Sequence, residues 1–179
     1  MTDPTKPRIR NALTTLLHGN LAGWHGLPEE TTVTDVVAVY ERMPNGRAGR
    51  LAGHWLTYHN FPGVNALPDA RIWSREGRVV RIDLDKPGFK NAVDPLDRLG
   101  EPPQERLPPR GYRYDEEDEL IEYLYPARGL VLHVSDPTLP GGSPTRRIVR
   151  VRAFAPMSVE RYDRDLGGQQ PGRIRRPNR

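Results

Sequence analysis

The sequence predicts an α+β fold built from two related units, each with short helices followed by an antiparallel β-sheet meander, packed as one body. A similar strand-like phrase occurs twice, about 69 residues apart, at Arg78–Leu84 and Arg147–Ala153. Within each copy apolar and charged residues alternate, which is typical of an antiparallel strand with one buried and one solvated face. The chain also contains 19 prolines and 17 glycines, and these residues favour the many turns that short strands need.

The alternation assigns the side chains of the repeated phrase to opposite faces of the sheet. Those predicted on the buried face are Val80, Ile82, Leu84, Val149, Val151 and Ala153. Those predicted on the solvated face are Arg81, Asp83, Arg150 and Arg152. A duplicated sheet of this kind suggests a binding platform, since the repeat carries no catalytic motif.

Two helices are predicted ahead of the first strands. Ile9–Leu21 places apolar residues at three- and four-residue spacings, which predicts an amphipathic helix. A second helix is predicted to begin at a threonine cap, Thr32 or Thr34, and to end at Met43–Gly46. Its valines are β-branched, so a strand is the alternative interpretation of this segment.

Strands are predicted in both units from β-branched and aromatic runs bounded by turn residues. In the first unit they lie at 53–59, 70–74 and 78–85, with a hairpin turn at 75–77. The second unit begins with a short helix at 94–99 and an extended, proline-rich connection at 102–109. Its strands are predicted at 111–114, 120–125, 130–134 and 147–154, and a short helix follows at 158–166.

These elements divide the chain into four segments. They are an N-terminal helix at 1–26, a first helix-plus-sheet unit at 27–90, a second such unit at 91–166 and a basic tail at 167–179. The tail offers almost nothing that a core could bury, so we expect a flexible extension. The net charge of the chain is +4, and without five arginines in or near the tail the rest of the chain is close to neutral. They are Arg164, Arg173, Arg175, Arg176 and Arg179.

Composition narrows the classes of function. The 179 residues include no cysteine, which excludes structural disulfides, thiolate metal sites and cysteine nucleophiles. No dinucleotide-binding, Walker-type or nucleophile-elbow motif is present, so no cofactor is expected. The start of the chain lacks a signal-peptide pattern, and no run of eighteen apolar residues occurs, so we expect a cytoplasmic protein without a membrane span.

The order of elements resembles the helix–helix–sheet module of β-lactamase inhibitor protein and of the outer-membrane assembly lipoproteins of the SmpA/BamE type. The matching motifs are Leu99-Gly100-Glu101-Pro102, the strand aromatics Tyr112, Tyr114, Tyr123 and Tyr125 before Pro126, and Arg128-Gly129-Leu130. The resemblance covers residues 91–156, and residues 27–86 more loosely. It implies a protein-binding sheet, because inhibitors of this shape cover a partner enzyme with the concave face of the sheet. The lipoprotein cysteine is missing, which puts an envelope role in doubt.

The candidate binding residues lie around the densest charge block of the chain. An acidic run of this kind is either a solvated hairpin tip or a surface that attracts a basic partner. The tyrosines beside it serve either in core packing or as an exposed binding surface. Together with the arginines of the last strand, the predicted binding residues are Tyr112, Arg113, Tyr114, Asp115, Glu116, Glu117, Asp118, Glu119, Arg150 and Arg152.

The leading hypothesis is a non-enzymatic protein-binding module, in its most concrete form an immunity or inhibitor protein that neutralises a partner toxin or enzyme. A second hypothesis is a nucleic-acid-associated accessory protein that uses the arginine strand and the basic tail. A third is a small hydrolase-like enzyme in which His54 pairs with Asp83 or Asp85 for acid–base work. No metal site is predicted, because His54 and His59 fall on opposite faces of a strand.

Overall fold

The computed structural model describes residues 5–85, 98–106, 120–135 and 147–167. Three α-helices lie within these ranges: α1 (Thr5–Leu17), α2 (Val33–Tyr40) and α3 (Val159–Asp165). The strands are β1 (Gly46–Leu51), β2 (His54–Phe61), β3 (Asp69–Arg75), β4 (Arg78–Asp85), β5 (Gln104–Arg106), β6 (Leu120–Tyr125), β7 (Leu130–Ser135) and β8 (Arg147–Ala153). Short 3-10 turns occur at Leu21–Gly23 and Pro126–Arg128.

The eight strands form one antiparallel sheet in the order β1-β2-β3-β4-β8-β7-β6-β5. One face, which we call the helical face, packs Ile72, Ile82 and Val151 into a core with α1 and α2. The other, which we call the charged face, carries a smaller apolar cluster that includes Trp73 and Tyr162 of α3. The predicted α+β class with an antiparallel sheet is therefore confirmed.

Capping residues place the helices close to their predicted positions. Thr32 caps α2 and forms a reciprocal capping box with Asp35. The helix ends earlier than predicted, because Glu41 adopts a left-handed conformation with φ of 53°. Helix α1 begins at Thr5 and ends at Leu17, and Leu21 reaches the core from the following 3-10 turn instead. Ser158 caps α3 through its hydroxyl, as predicted.

Two strands differ from the prediction. β1 lies at Gly46–Leu51, just after the predicted turn at Met43–Gly46, in a segment where no strand is predicted because two glycines and two arginines hide any alternation. β5 falls within the predicted extended connection, at Gln104–Arg106. The predicted strand 111–114 and most of the helix 94–99 lie outside the described residues, although Arg98 and Leu99 are helical.

The repeated phrase contains a β-bulge at the same place in both copies. In β4, Arg81 pairs with Trp73 and Val79 with Ser74, so Val80 is the extra residue. In β8, the pairing shifts in the same way around Val149. The predicted places of Val80 with Ile82 and of Val149 with Val151 on the helical face are therefore wrong. Because of the bulges, Val79 and Ile148 pack into that core instead.

The predicted solvated face is largely buried. Arg81, Asp83 and Arg152 are each no more than 3% exposed. They lie beneath α3 and the apolar cluster of the charged face, and they carry opposite charges that compensate one another. Strand alternation alone cannot distinguish a polar face that meets water from one that meets its own counter-charges. Among the described residues no helix is long and apolar enough to cross a membrane.

Candidate functional site

The structure separates the predicted binding residues. The eight residues from Tyr112 to Glu119 lie outside the described ranges. Arg150 is part-buried and its Nε donates to Asp85 Oδ1 at 2.6 Å. Arg152 is 1% exposed, so the prediction that its side chain meets a partner at the surface is wrong. The two arginines of β8 that were proposed to bind nucleic acid are thus paired with carboxylates of this chain, Arg150 with Asp85 and Arg152 with Asp83.

The predicted acid–base pair is not assembled. Asp83 lies opposite Arg71 of β3, which in turn lies opposite Asn60 of β2. His54 is six positions from Asn60 along β2, about 20 Å at the usual rise of a strand. Asp85 lies farther still along β4. The pairing of His54 with either aspartate is therefore wrong.

Asp83 is the centre of a buried charge network on the charged face. Its Oδ2 accepts hydrogen bonds from Arg81 Nη2 at 2.6 Å, Arg81 Nε at 3.1 Å and Trp73 Nε1 at 3.1 Å. Its Oδ1 lies 3.3 Å from Arg152 Nε. Burial raises the pKa of this carboxyl, but the charges of Arg81, Arg152 and Arg150 outweigh burial and lower the pKa to about 2. Asp83 is therefore ionised.

Glu122 is the second centre of the network. Its Oε1 lies 2.8 Å from His133 Nε2, and its Oε2 accepts from Arg106 Nε at 2.7 Å. Arg152 Nη1 lies 3.9 Å from the same Oε1 and links the two centres. Burial raises the pKa of Glu122, but the hydrogen bonds from His133 and Arg106 lower it to about 2. The carboxylate can only accept, so His133 holds its proton on Nε2.

The network fastens α3 to the sheet. Arg81 Nη1 donates to the carbonyl oxygen of Leu166, and Arg152 Nη1 donates to the Tyr162 hydroxyl at 3.1 Å. Arg106 binds both carboxylate oxygens of Asp163 at 2.7 and 2.8 Å. Three arginines thus face three carboxylates, and such balance is the condition under which buried charges are tolerated. We infer that the network positions the helix rather than performs chemistry.

A prediction follows from the burial of His133. Burial, then the charge of Arg152, lower its pKa from 6.5 to about 4, against the opposing pull of Glu122. The imidazole of His133 therefore takes up a proton at a higher pH in the unfolded chain than in the folded one. As a result, the free energy of unfolding decreases as the pH is lowered from 6.5 to 4. The loss is about 3 kcal/mol over this window. Urea unfolding followed by circular dichroism at several pH values measures it.

The control for this prediction is a second histidine. His133→Gln is expected to flatten the pH dependence between 6.5 and about 5, above the range in which Glu122 and Asp83 contribute, whereas His54→Gln at an exposed position keeps it. An unchanged slope in His133→Gln would show that another group causes the acid sensitivity.

The sheet edge formed by β1 and β2 carries the most exposed aromatic side chain among the described residues. Trp55 is 71% exposed, whereas the other two tryptophans of the chain, Trp24 and Trp73, are 1% and 5% exposed. Its ring lies beside the Arg50 guanidinium, 5.6 Å from the ring centroid, on the cross-strand partner position. Tryptophan and arginine are both enriched among the residues that contribute most of the binding energy in protein interfaces.

The edge itself is open within the described residues. β1 lies at the end of the strand order and pairs with β2 alone, over all six of its residues. The opposite edge, β5, has only three residues. An edge strand of this length presents unpaired backbone N–H and C=O groups, which natural proteins usually shield. The β1–β2 edge is therefore the candidate binding surface, and it comprises Arg47, Ala48, Arg50, Trp55 and Thr57.

Two of the three motifs behind the family resemblance, Leu99–Pro102 and Arg128–Leu130, contact one another. The Arg128 guanidinium donates to the Leu99 carbonyl at 2.9 Å and to Glu101 Oε1 at 2.5 Å. The Trp24 indole donates to the carbonyl oxygen of Gly129 at 3.4 Å. The motifs therefore join the end of the helix at Leu99 to the turn before β7, which is a structural role.

Sequence reasoning missed both the exposure of Trp55 and the network around Glu122. Trp55 lies in a β-prone aromatic run, where a core position is the usual expectation. The signal that could have drawn attention to it was the absence of any carboxylate between Arg42 and Phe61. Glu122 and His133 come from different strands, and their pairing depends on a register that the sequence does not display.

No protein-family model matches the chain, and no curated protein matches it. Two solved structures show a distant similarity to the chain. A crystal structure of the DUF4309 family protein YjgB from Bacillus subtilis is 13% identical, with a TM-score of 0.43, and covers 83% of this chain and 99% of its own. A crystal structure of the uncharacterized protein YfeY from Escherichia coli is 10% identical, with a TM-score of 0.39, and covers 74% and 95%. Both TM-scores are below 0.5, so neither likeness assigns a family or a function.

Proposed function

We propose that the protein is a non-enzymatic protein-binding module whose partner contacts the β1–β2 edge. The observation that carries the proposal is the 71% exposure of Trp55, which lies on β2 next to the open edge strand β1. Exposing an indole to water is unfavourable, and a partner that covers it gains the transfer energy of a large apolar side chain. In its most specific form, the partner is a toxin or enzyme that this protein neutralises.

The rigidity of the scaffold supports this role. β2 continues into a fully paired sheet whose charged face is held by the network around Asp83 and Glu122. A surface presented on such a sheet loses little conformational entropy on binding. The arrangement suits an inhibitor, which gains affinity from a preformed surface rather than from a mobile one.

The test compares two exposed side chains. The full-length protein captures candidate partners, which are identified, purified and measured again against variants. Trp55→Ala is expected to weaken binding of the purified partner by about thirtyfold, the effect of losing a strong interface residue. Met43→Ala is the matched control, because Met43 is 65% exposed but lies outside the strands. Equal affinities for Trp55→Ala and the parent protein would refute the proposal.

We further propose that the sheet derives from two related four-stranded units. Three observations support this. The strand order runs from β1 to β4 and then from β8 back to β5. The bulges fall on Val80 and Val149, which are equivalent in the repeated phrase. Asp83 and Arg152 are also equivalent, and they lie directly opposite one another across the β4–β8 pair.

A further inference from the structure

We infer that the partner presents an acidic, extended segment that adds to the sheet beside β1 as a ninth strand. This inference rests on the proposed function and names the chemistry of its partner. The six residues of β1 contain no proline and pair with β2 only, within the described residues. Their remaining backbone groups can pair with one incoming strand, which is how sheet edges commonly bind extended peptides.

The charge of the edge selects the partner. Arg42, Arg47 and Arg50 form no ion pair with any residue that the structure describes, and Arg50 donates only to the carbonyl oxygen of Gly53. No carboxylate occurs between Arg42 and Phe61. A surface with this excess of positive charge attracts carboxylates and repels basic segments.

The register of β1 gives the pattern expected in the partner. Arg47 and Arg50 are three positions apart, so their side chains project from opposite faces of the strand. Arg50 shares its face with Trp55, whereas Arg47 lies opposite Tyr58 on the charged face. The incoming strand is therefore expected to carry two carboxylates at odd spacing, one for each arginine.

The same arginines disfavour a second copy of this chain as the occupant. Antiparallel pairing of two β1 strands about their centre would place Arg47 of one copy opposite Arg50 of the other. Like charges directly opposite in a sheet are destabilising. Arginines on an edge strand are a common protection against this kind of self-association.

The test uses a synthetic peptide with the full-length protein. The probe is the capped octapeptide Thr-Val-Glu-Val-Thr-Glu-Val-Thr, in which the two carboxylates project to opposite faces. Binding is followed through the change in tryptophan emission, which is expected to come from Trp55 because Trp24 and Trp73 are already shielded from water. One control peptide replaces both Glu residues with Lys. Another carries N-methyl groups on two consecutive central amides, which blocks backbone pairing on both of its edges.

We expect both control peptides to bind at least about tenfold more weakly than the acidic peptide. The variant Arg47→Gln with Arg50→Gln is expected to lose a similar factor. Arg8→Gln with Arg10→Gln is the matched control, because it removes the same charge from exposed positions of α1. Circular dichroism confirms that each variant is folded.

Several outcomes would overturn the inference. Equal binding of the methylated peptide would show that charge acts without strand pairing, and equal binding of the lysine peptide would remove the charge argument. Tighter binding of a single-stranded oligothymidylate to the arginine pair would favour nucleic acid, and dimerisation abolished by the arginine variant would favour a second copy. Absence of peptide binding refutes strand addition alone, because the Trp55→Ala measurement with the purified partner tests the proposed function separately.

Discussion

Arg81→Met is expected to lower the free energy of unfolding by about 3 to 5 kcal/mol, the usual effect of removing one partner from a buried ion pair. The substitution leaves the ionised Asp83 with only Arg152 as a close counter-charge, at 3.3 Å. It also removes the hydrogen bond from Arg81 to the Leu166 carbonyl, which holds the end of α3. Urea unfolding monitored by circular dichroism at neutral pH gives the difference.

The matched control for this change lies on the same strand. Arg78 is exposed at the start of β4, so Arg78→Met removes an arginine without breaking the network. Its effect is expected to stay within about 0.5 kcal/mol, as for most surface substitutions. If Arg81→Met cost no more than Arg78→Met, the network would not be holding α3.

Gly129→Ala is expected to lower the free energy of unfolding by more than about 3 kcal/mol, because strain and overlap act together. Gly129 has a φ of 56°, and a Cβ there would overlap the carbonyl oxygen of Phe154. Backbone cannot move away as a flexible side chain could, and Gly129 O accepts from Phe154 N at 2.9 Å. Thermal and urea unfolding of the purified variant measure the loss.

A second glycine separates the two causes. Gly77 also has a positive φ, at 80°, but a Cβ there would meet no atom within 4 Å. Gly77→Ala therefore carries backbone strain alone and is expected to cost about 1 to 2 kcal/mol. Similar losses for both variants would mean that the overlap with Phe154 relaxes without cost.

Local rules were sufficient for much of the fold. Alternating apolar residues located β4 and β8, β-branched and aromatic runs located β6 and β7, and hydroxyl caps located the starts of α2 and α3. The hairpin between β3 and β4 follows from the Glu76-Gly77 pair, both of which adopt positive φ. These features depend on neighbouring residues, which is why a single sequence reveals them.

The features that were missed depend on partners distant in sequence. β1 becomes a strand because it pairs with β2, although its own residues have weak strand preference. The charged face is buried because α3 packs against it. This helix begins only at Val159, after the second copy of the repeated phrase has ended at Ala153. Sequence alternation indicates that two faces differ, but not which of them is covered.

The candidate site was less predictable than the fold. The buried pairing of Glu122 with His133 requires a known register between β6 and β7. The exposure of Trp55 depends on where the helices stop covering the helical face, and hydrophobic pattern alone places an indole in the core. Eight of the ten predicted binding residues lie outside the described ranges and stay predictions.

Hydrogen exchange of the protein alone and in complex with its purified partner distinguishes an interface at the β1–β2 edge from one elsewhere on the molecule. The partner is expected to slow exchange of the outward-facing amides of β1, Gly46–Leu51, and this protection is expected to disappear in Trp55→Ala under the same conditions. Unchanged exchange in β1, with new protection confined to α1 and α2, would place the interface on the helices and rule out the β1–β2 edge.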